Sequence, residues 1–397
     1  MKLRITVAAL FIALLFTACG NNGGIPRKYR PLLEDALNRA GENRAEMERA
    51  LNEAPRSQKE GMAYLISYMP QGDLDTLTAD FLLKNVEYAY LARNRFIWTK
   101  EVPMKRFLND VLPYANAGET RDDWREDFYN RFTPYVENCK TLEEAVYAIN
   151  QNAHNELKVE YSTARRRADQ SPNESLEISI ASCTGLSILL TDAFRAVGIP
   201  SRLAGTIWHD NRGNHTWSEV WMNGKWHFTE YYYPGQLDNA WFLADAGKST
   251  PEDPRHAIVA ASFGPTGLQM PQAWNRQAGR ANCEDVSQRY IDIYNTVRSA
   301  MLADTNYVSL KVRMFADESS ATQSEGRVQV NVDIFQEDNQ LGGGSTAGPT
   351  QDMNDVLEFL VERNKEYILK YFPEGQSRVD TVAVLDEPVE VTLFVRK

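Results

Sequence analysis

The chain has 397 residues, enough for two or three domains with sizeable cores, and its 43% hydrophobic and 24% charged content is ordinary for a globular protein. The formal net charge of −11, without a long basic stripe, gives no electrostatic reason to bind nucleic acid and sets that class of function aside.

Residues 1–18 read as a targeting segment outside the fold. Lys2 and Arg4 make a positive start, residues 7–16 a short apolar run, and Thr17 and Ala18 place small residues before Cys19. The run is too short to span a membrane well. This arrangement resembles the bacterial lipoprotein signal. The resemblance implies cleavage before Cys19, lipid attachment there, a glycine- and asparagine-rich tether over 20–24, and a place in the cell envelope; an ordinary secretory peptide is the alternative. Cys139, Cys183 and Cys283 then remain, and an odd count in an exported chain implies at least one free thiol. Parity suggests Cys139 paired with Cys283 and Cys183 reduced, with three free thiols as the alternative.

Residues 19–110 are predicted to form a helical N-terminal region. Leu33, Leu37 and Ala40 share one face; Met47, Ala50 and Leu51 form a stripe ending at Pro55; Met62, Leu65, Ile66 and Met69 form another, closed by Pro70. Thr78 is placed to cap a helix bearing Leu82, Val86, Ala89 and Tyr90. Thr141 and Glu144 make a capping-box signature opening a helix through Ala145, Ala148 and Ile149. Arg165, Arg166 and Arg167 read as a solvated loop.

The next helix organises the rest. Leu186, Leu189, Leu190, Ala193, Phe194 and Val197 recur with a 3.6-residue period, and Gly198 and Pro200 stop it. Cys183 therefore stands at its start, where the dipole and unpaired N–H groups favour a thiolate by roughly 0.3–1 kcal/mol at an exposed site. That placement makes Cys183 the candidate nucleophile.

Residues 201–209 follow as a buried strand, and residues 215–222 alternate as another. Asn223-Gly224 is a strong two-residue hairpin signal, returning through residues 225–230. A two-residue turn pairs Met222 with Lys225, which sets Trp221 opposite Trp226, Trp217 opposite Glu230 and His215 opposite Tyr232. Since side chains alternate, His215, Trp217, Glu230 and Tyr232 share one face, with His215 and Glu230 diagonal neighbours at roughly 7–8 Å. His209 and His227 fall elsewhere and read as structural. A thiol, an imidazole and a carboxylate suffice for acyl transfer: the imidazole moves the proton and the carboxylate orients it. No metal-ligand spacing and no serine nucleophile elbow stand out, so no cofactor or metal is expected.

Cys183, then Gly198 to Arg202, then His215 to Trp221, then Trp226 through Glu230, in that order, is similar to the transglutaminase-like superfamily. The resemblance implies a papain-like α+β core, a Cys helix packed on an antiparallel sheet, with Cys183, His215 and Glu230 as catalytic residues. It also implies a peptide, protein or glycopeptide substrate. Two departures stand out: Glu230 replaces the usual Asp, and Tyr231, Tyr232, Tyr233 and Pro234 replace the usual Asp-Pro. The tyrosines either line a cleft or cover the sheet. An oxyanion donor beside the Cys backbone N–H is also implied, with Asn150 or Gln151 as candidates.

The core is expected over 111–247 and linker or covering loops over 248–284. Over 285–397 a small antiparallel β-sandwich is expected: residues 307–315 and 327–335 alternate, Gly342 to Ser345 read as a loop, residues 357–361 and 367–371 as strands, and 381–396 as two more. It resembles carboxypeptidase-regulatory-like sandwiches. The chain thus reads as an α+β protein performing cysteine-dependent acyl transfer on amides, most simply hydrolysis. A peptide- or glycan-binding lipoprotein that keeps the fold without the chemistry, and a peptide N-glycanase-like amidase, are the alternatives.

Overall fold

Residues 23–209, 213–271, 281–321 and 323–396 are described by the computed structural model; the expected signal segment and Cys19 lie outside them. The helical stripes pack as their spacing demands. They form α1 (Arg30–Arg39), α2 (Arg44–Glu53), α3 (Lys59–Tyr68), α4 (Gln71–Thr76), α5 (Ala79–Arg95), α6 (Met104–Arg106), α7 (Arg125–Val136) and α8 (Leu142–Leu157). Leu33, Met47, Ala50, Met62, Leu65, Ile66, Leu82, Val86 and Ala89 are all buried in one core. Thr78 accepts the Phe81 N–H at 3.3 Å to open α5, and Thr141 with Glu144 forms the reciprocal capping box of α8. No described helix is long and apolar enough to cross a membrane.

Two short strands, β1 (Glu160–Tyr161) and β2 (Ile180–Ala181), pair in parallel around α9 (Pro172–Ile178). The three arginines expected in a solvated loop lie just before α9, and two of them pair with it: Arg166 with Glu177 at 2.7 Å and Arg167 with Glu174 at 2.6 Å. Then comes α10 (Cys183–Ala196), buried along its whole length from Thr184 onward rather than on one face. It ends at Gly198, whose φ of +83° and approach to Thr99 suit a residue without Cβ.

Against α10 lies an antiparallel sheet of β3 (Ser201–Ile207), β4 (Asn214–Met222) and β5 (Lys225–Thr229). After α11 (Leu243–Ala246) it continues with β6 (Val259–Ser262), β7 (Leu268–Gln269) and β8 (Asn282–Asp285). The strand order is β5-β4-β3-β6-β8-β7. Residues 248–284, expected as linker and covering loops, therefore supply three of the six strands. Their two to four residues each, with small side chains such as Ala260 and Ala261, are too few to establish a period of two. Helix α12 (Ser287–Ala303) covers the face opposite α10 through Tyr290, buried with Trp217 and Phe228, so the region after residue 285 begins with a helix docked on the core.

The C-terminal sandwich comprises β9 (Tyr307–Phe315), β10 (Asn331–Gln336), β11 (Asn339–Ser345), β12 (Leu357–Glu362), β13 (Lys365–Tyr371), β14 (Arg378–Val384) and β15 (Val389–Phe394). One sheet runs β11-β10-β13-β14 and the other β12-β9-β15. Two expectations are corrected here. β15 runs parallel to β9, so the sandwich is not wholly antiparallel. Gly342, Gly343 and Gly344, read as a loop, lie in β11 and pair with Ile334, Asp333 and Val332. A Cβ on Gly344 would come 2.5 Å from Leu357 Cδ1, so glycine here permits close sheet packing rather than a turn.

The suggested Cys139–Cys283 disulfide does not form; all three described cysteines are free. Cys139 follows α7 against the helical core, whereas Cys283 is buried in β8 in a separate cluster with Leu203 and Ile188.

Candidate active site

Two interlocking periodicities place the thiol. Ser182 caps α10: its Oγ accepts the Gly185 N–H at 3.2 Å and donates to the Ala168 carbonyl, leaving Cys183 at the first helical position. From there Thr184, Ser187 and Thr191 recur at helical spacing and all face β4. Thr184 Oγ1 lies 2.9 Å from Thr216 Oγ1, Ser187 donates to the Thr216 carbonyl at 3.0 Å, and Thr191 Oγ1 lies 3.1 Å from Ser218 Oγ. Ser218 in turn donates to the Ser187 carbonyl at 3.2 Å. This buried polar seam sets the height of the helix along the strand.

The hairpin places the imidazole. Asn223 (φ 51°) and Gly224 (φ 83°) both adopt the left-handed conformation of a type I′ turn. The ladder runs Met222 with Lys225, Trp221 with Trp226, and on to Ser218 with Thr229, which is the predicted register. It stops at Thr229, so the expected Trp217–Glu230 and His215–Tyr232 pairs are not formed. Even so, His215 Nε2 and Glu230 Oε1 are 2.8 Å apart.

Asn150 explains how. From α8 its Nδ2 donates to the Glu230 carbonyl at 2.9 Å, while its Oδ1 accepts from the Thr229 hydroxyl. The backbone leaving β5 is thus held by a helix where the ladder has ended. This corrects the suggestion of Asn150 or Gln151 as oxyanion donor: both ends of the Asn150 amide are engaged, Gln151 is exposed, and neither lines the cleft containing Cys183.

Cys183 and His215 line the same cleft, and each shifts the ionisation of the other. Burial pushes the Cys183 thiol up, but His215, the Thr216 backbone N–H and Thr184 bring it below its ordinary value. Burial pulls His215 down, and Cys183 and Glu230 outweigh this, raising it to about 9. Both directions favour a thiolate–imidazolium pair near neutrality. The His215 ring is framed by Trp241 at 4.9 Å, Phe242 at 5.1 Å and Trp217 at 5.7 Å between centroids.

The three groups share a cleft of roughly 630 Å³. Of the tyrosine run, Tyr231 and Tyr232 take the first of the two roles foreseen for it, and Tyr233 is not in the cleft lining. Tyr231 is buried and Tyr232 is exposed, yet both line the cleft; the Tyr232 hydroxyl donates to Glu160 and accepts the Tyr161 N–H, each at 2.8 Å. His227 lies 2.6 Å from Asp238 and His209 stacks on His256, both away from the cleft lining. Among the described residues, no cluster of three or more His, Cys, Asp or Glu groups could hold a metal ion.

Sequence reasoning missed Asn150 as a clamp, the Thr184–Ser187–Thr191 stripe, and the frame of Trp241 and Phe242. The stripe had a signal, polar residues at i, i+3 and i+7 on a helix, hidden by the apolar pattern beside it.

Residues 130–231 match the family model of the transglutaminase-like superfamily. No curated protein matches the chain. Among solved structures, a candidate cysteine protease from Cytophaga hutchinsonii is 16% identical, with a TM-score of 0.27 over 36% of this chain and 50% of that one. A candidate protease from Parabacteroides distasonis is 10% identical, with a TM-score of 0.24 over 46% and 30%. Red sea bream transglutaminase is 10% identical, with a TM-score of 0.27 over 66% and 58%. The chain thus spans less than two thirds of each of these proteins. Likeness at that level says nothing of activity.

Proposed function

We propose that the transglutaminase-like domain at 130–231 hydrolyses amide or peptide bonds, with Cys183 as nucleophile, His215 as general base and acid, and Glu230 as the group that orients His215. The carrying observation is that Cys183, at the first residue of α10, lines one cleft with His215 and Glu230, which lie 2.8 Å apart.

Because Nε2 faces Glu230, Nδ1 is the nitrogen assigned to the thiol. The Cys183 thiolate adds to the substrate carbonyl carbon, and the tetrahedral oxyanion forms beside the helix N-terminus, where the Cys183 N–H is available in the first turn. Collapse breaks the C–N bond, the leaving amine takes the proton from His215, and a thioester remains on Sγ. Water then adds to the thioester carbonyl, giving a proton to His215, and collapse releases the acid and restores the thiolate. The aromatic frame packs around the His215 ring and fixes its plane.

The test is the rate of Cys183 alkylation by iodoacetamide against pH, in the native protein and in His215→Ala, with the site read by mass spectrometry. The native thiol should ionise below the ordinary value of about 8.5, and the variant should lose that shift. Equal slow rates with ordinary ionisation in both would leave a protein that grips peptide or glycan without chemistry.

We also propose that lipid on Cys19 holds the protein at the bacterial cell envelope. The charged start, short apolar run and small residues before Cys19 support this. Cys19→Ser should move the protein from the membrane fraction to the soluble fraction, and unchanged partition would count against the anchor.

A further inference from the structure

The cleft holding Cys183 is not walled by the transglutaminase-like domain alone. Asn331, Asp333, Gln340 and Phe372 of the C-terminal sandwich line it together with Cys183, His215 and Glu230. Strand register explains why. In the β10–β13 pair Val332 is opposite Tyr371 and Ile334 opposite Leu369, and these four side chains fill the sandwich interior. Side chains alternate, so Asn331 and Asp333 point the other way, and one further step of the same register sets Phe372 beside Asn331. The outward face of this sheet is therefore the face that meets the cleft.

The position of that face is tied to the catalytic groups. An ideal Cβ on Gly342 of β11 would lie 3.7 Å from the carbonyl oxygen of Trp241, whose ring packs on His215. Arg298 on α12 pairs with Glu358 on β12 at 3.2 Å.

Three large side chains in this cleft are left open to solvent: Tyr161 at 56%, Tyr232 at 41% and Phe372 at 55% exposed. They come from three separate stretches of chain. A single exposed aromatic needs no explanation, whereas three gathered at one nucleophile form an apolar surface with room for side chains of a ligand.

We propose that the β-sandwich supplies the far wall of the substrate cleft, and that Phe372 with Tyr161 and Tyr232 grips an apolar, preferentially aromatic, side chain of an extended peptide. This rests on Cys183 being the nucleophile of that cleft. Phe372 is then a specificity-determining residue contributed from outside the matched family domain, and the sandwich is more than a spacer.

The experiment labels the full-length protein with tetrapeptidyl chloromethyl ketones in which Phe is placed in turn at each position of a glycine chain. The thiolate displaces chloride and forms a thioether at Sγ, so the readout needs no knowledge of the natural substrate. At one position Phe should raise the second-order labelling rate about tenfold over glycine, the order expected for burying one apolar ring. Phe372→Ala should remove most of that ratio, and Phe372→Leu should keep part of it. A native protein with no preferred position, or a preference that survives Phe372→Ala, overturns the proposal. Iodoacetamide, too small to reach the sandwich, separates the two failures. Fast alkylation that depends on His215, with no peptide preference, sinks the aromatic subsite alone; slow alkylation independent of His215 sinks both.

Discussion

The seam between α10 and β4 and the interior of the C-terminal sandwich are both buried, yet opposite chemistry holds them. Across the seam Thr184, Ser187 and Thr191 meet Thr216 and Ser218 through hydrogen bonds of 2.9–3.2 Å. The sandwich is closed by Leu310, Val312, Val332, Ile334, Leu369 and Tyr371, with apolar contacts throughout. Hydrogen bonds weaken over a few tenths of an ångström and lose their partners in a register slip, whereas apolar side chains repack. The polar seam therefore fixes the position of one helix on one strand, and the sandwich interior supplies stability with less demand on register. A change in the sandwich core should cost much stability and spare the thiol, whereas a change in the seam at the helix start should cost less stability and reach the thiol.

The largest expected effect tests the first half of that contrast. Leu369 is fully buried, so Leu369→Ala should destabilise the sandwich by about 2–5 kcal/mol through lost burial and a residual cavity. Denaturant unfolding measures the loss. The pH profile of Cys183 alkylation, recorded in native buffer, should not move; if it does, sandwich packing and site geometry are not separable.

Asn150 comes next, since it joins the helical region to the end of β5. Asn150→Ala removes the partner of the Glu230 carbonyl and of the Thr229 hydroxyl, at a cost of about 1–3 kcal/mol. Its more telling effect is electrostatic: with Glu230 no longer held, His215 should ionise below its native value of about 9. Glu230→Gln should move His215 in the same direction with less loss of stability. The linkage sign follows. Folding raises His215 above the ordinary imidazole value of about 6.5, so the charged ring adds stability that is complete below that pH and is lost as pH rises through about 9. Both variants should flatten that alkaline fall, measured as unfolding free energy between pH 6 and 10. An unchanged fall in Glu230→Gln would separate Glu230 from the charge on His215.

What was legible in the sequence follows the same division. The Cys183 helix start, the Asn223-Gly224 turn and the hairpin register rest on local signals, namely a helical period, a turn dipeptide and alternation, and these carried to the residue. Glu230 was placed on the correct face although its ladder pair never forms, because Asn150, 80 residues earlier, does the holding; no local pattern announces a clamp at that separation. Strands β6, β7 and β8 and the glycine strand β11 were lost for a related reason. Short runs of small residues carry almost no periodicity, and pairing partners far along the chain make them strands. Trp241 and Phe242, the frame of His215, lie in a loop where neither period applies.

The finest test compares two positions within the seam. Thr184 and Thr191 each share a hydroxyl contact with β4, at 2.9 and 3.1 Å, and both are buried. Replacing either by valine keeps the shape and removes one hydrogen bond, costing about 0.5–1.5 kcal/mol. Their effect on the thiol should differ. Thr184 also adjoins Cys183 and helps to hold its ionisation low, so Thr184→Val should raise the pH at which alkylation begins. Thr191 lies seven residues along, about two turns or 10 Å from that end, and Thr191→Val should leave the profile in place. A shift in Thr184→Val alone would mean that the contact at the helix start acts on the thiol directly. Equal shifts would mean that the seam acts as one rigid unit, whose position along β4 controls the Cys183–His215 contact from either end.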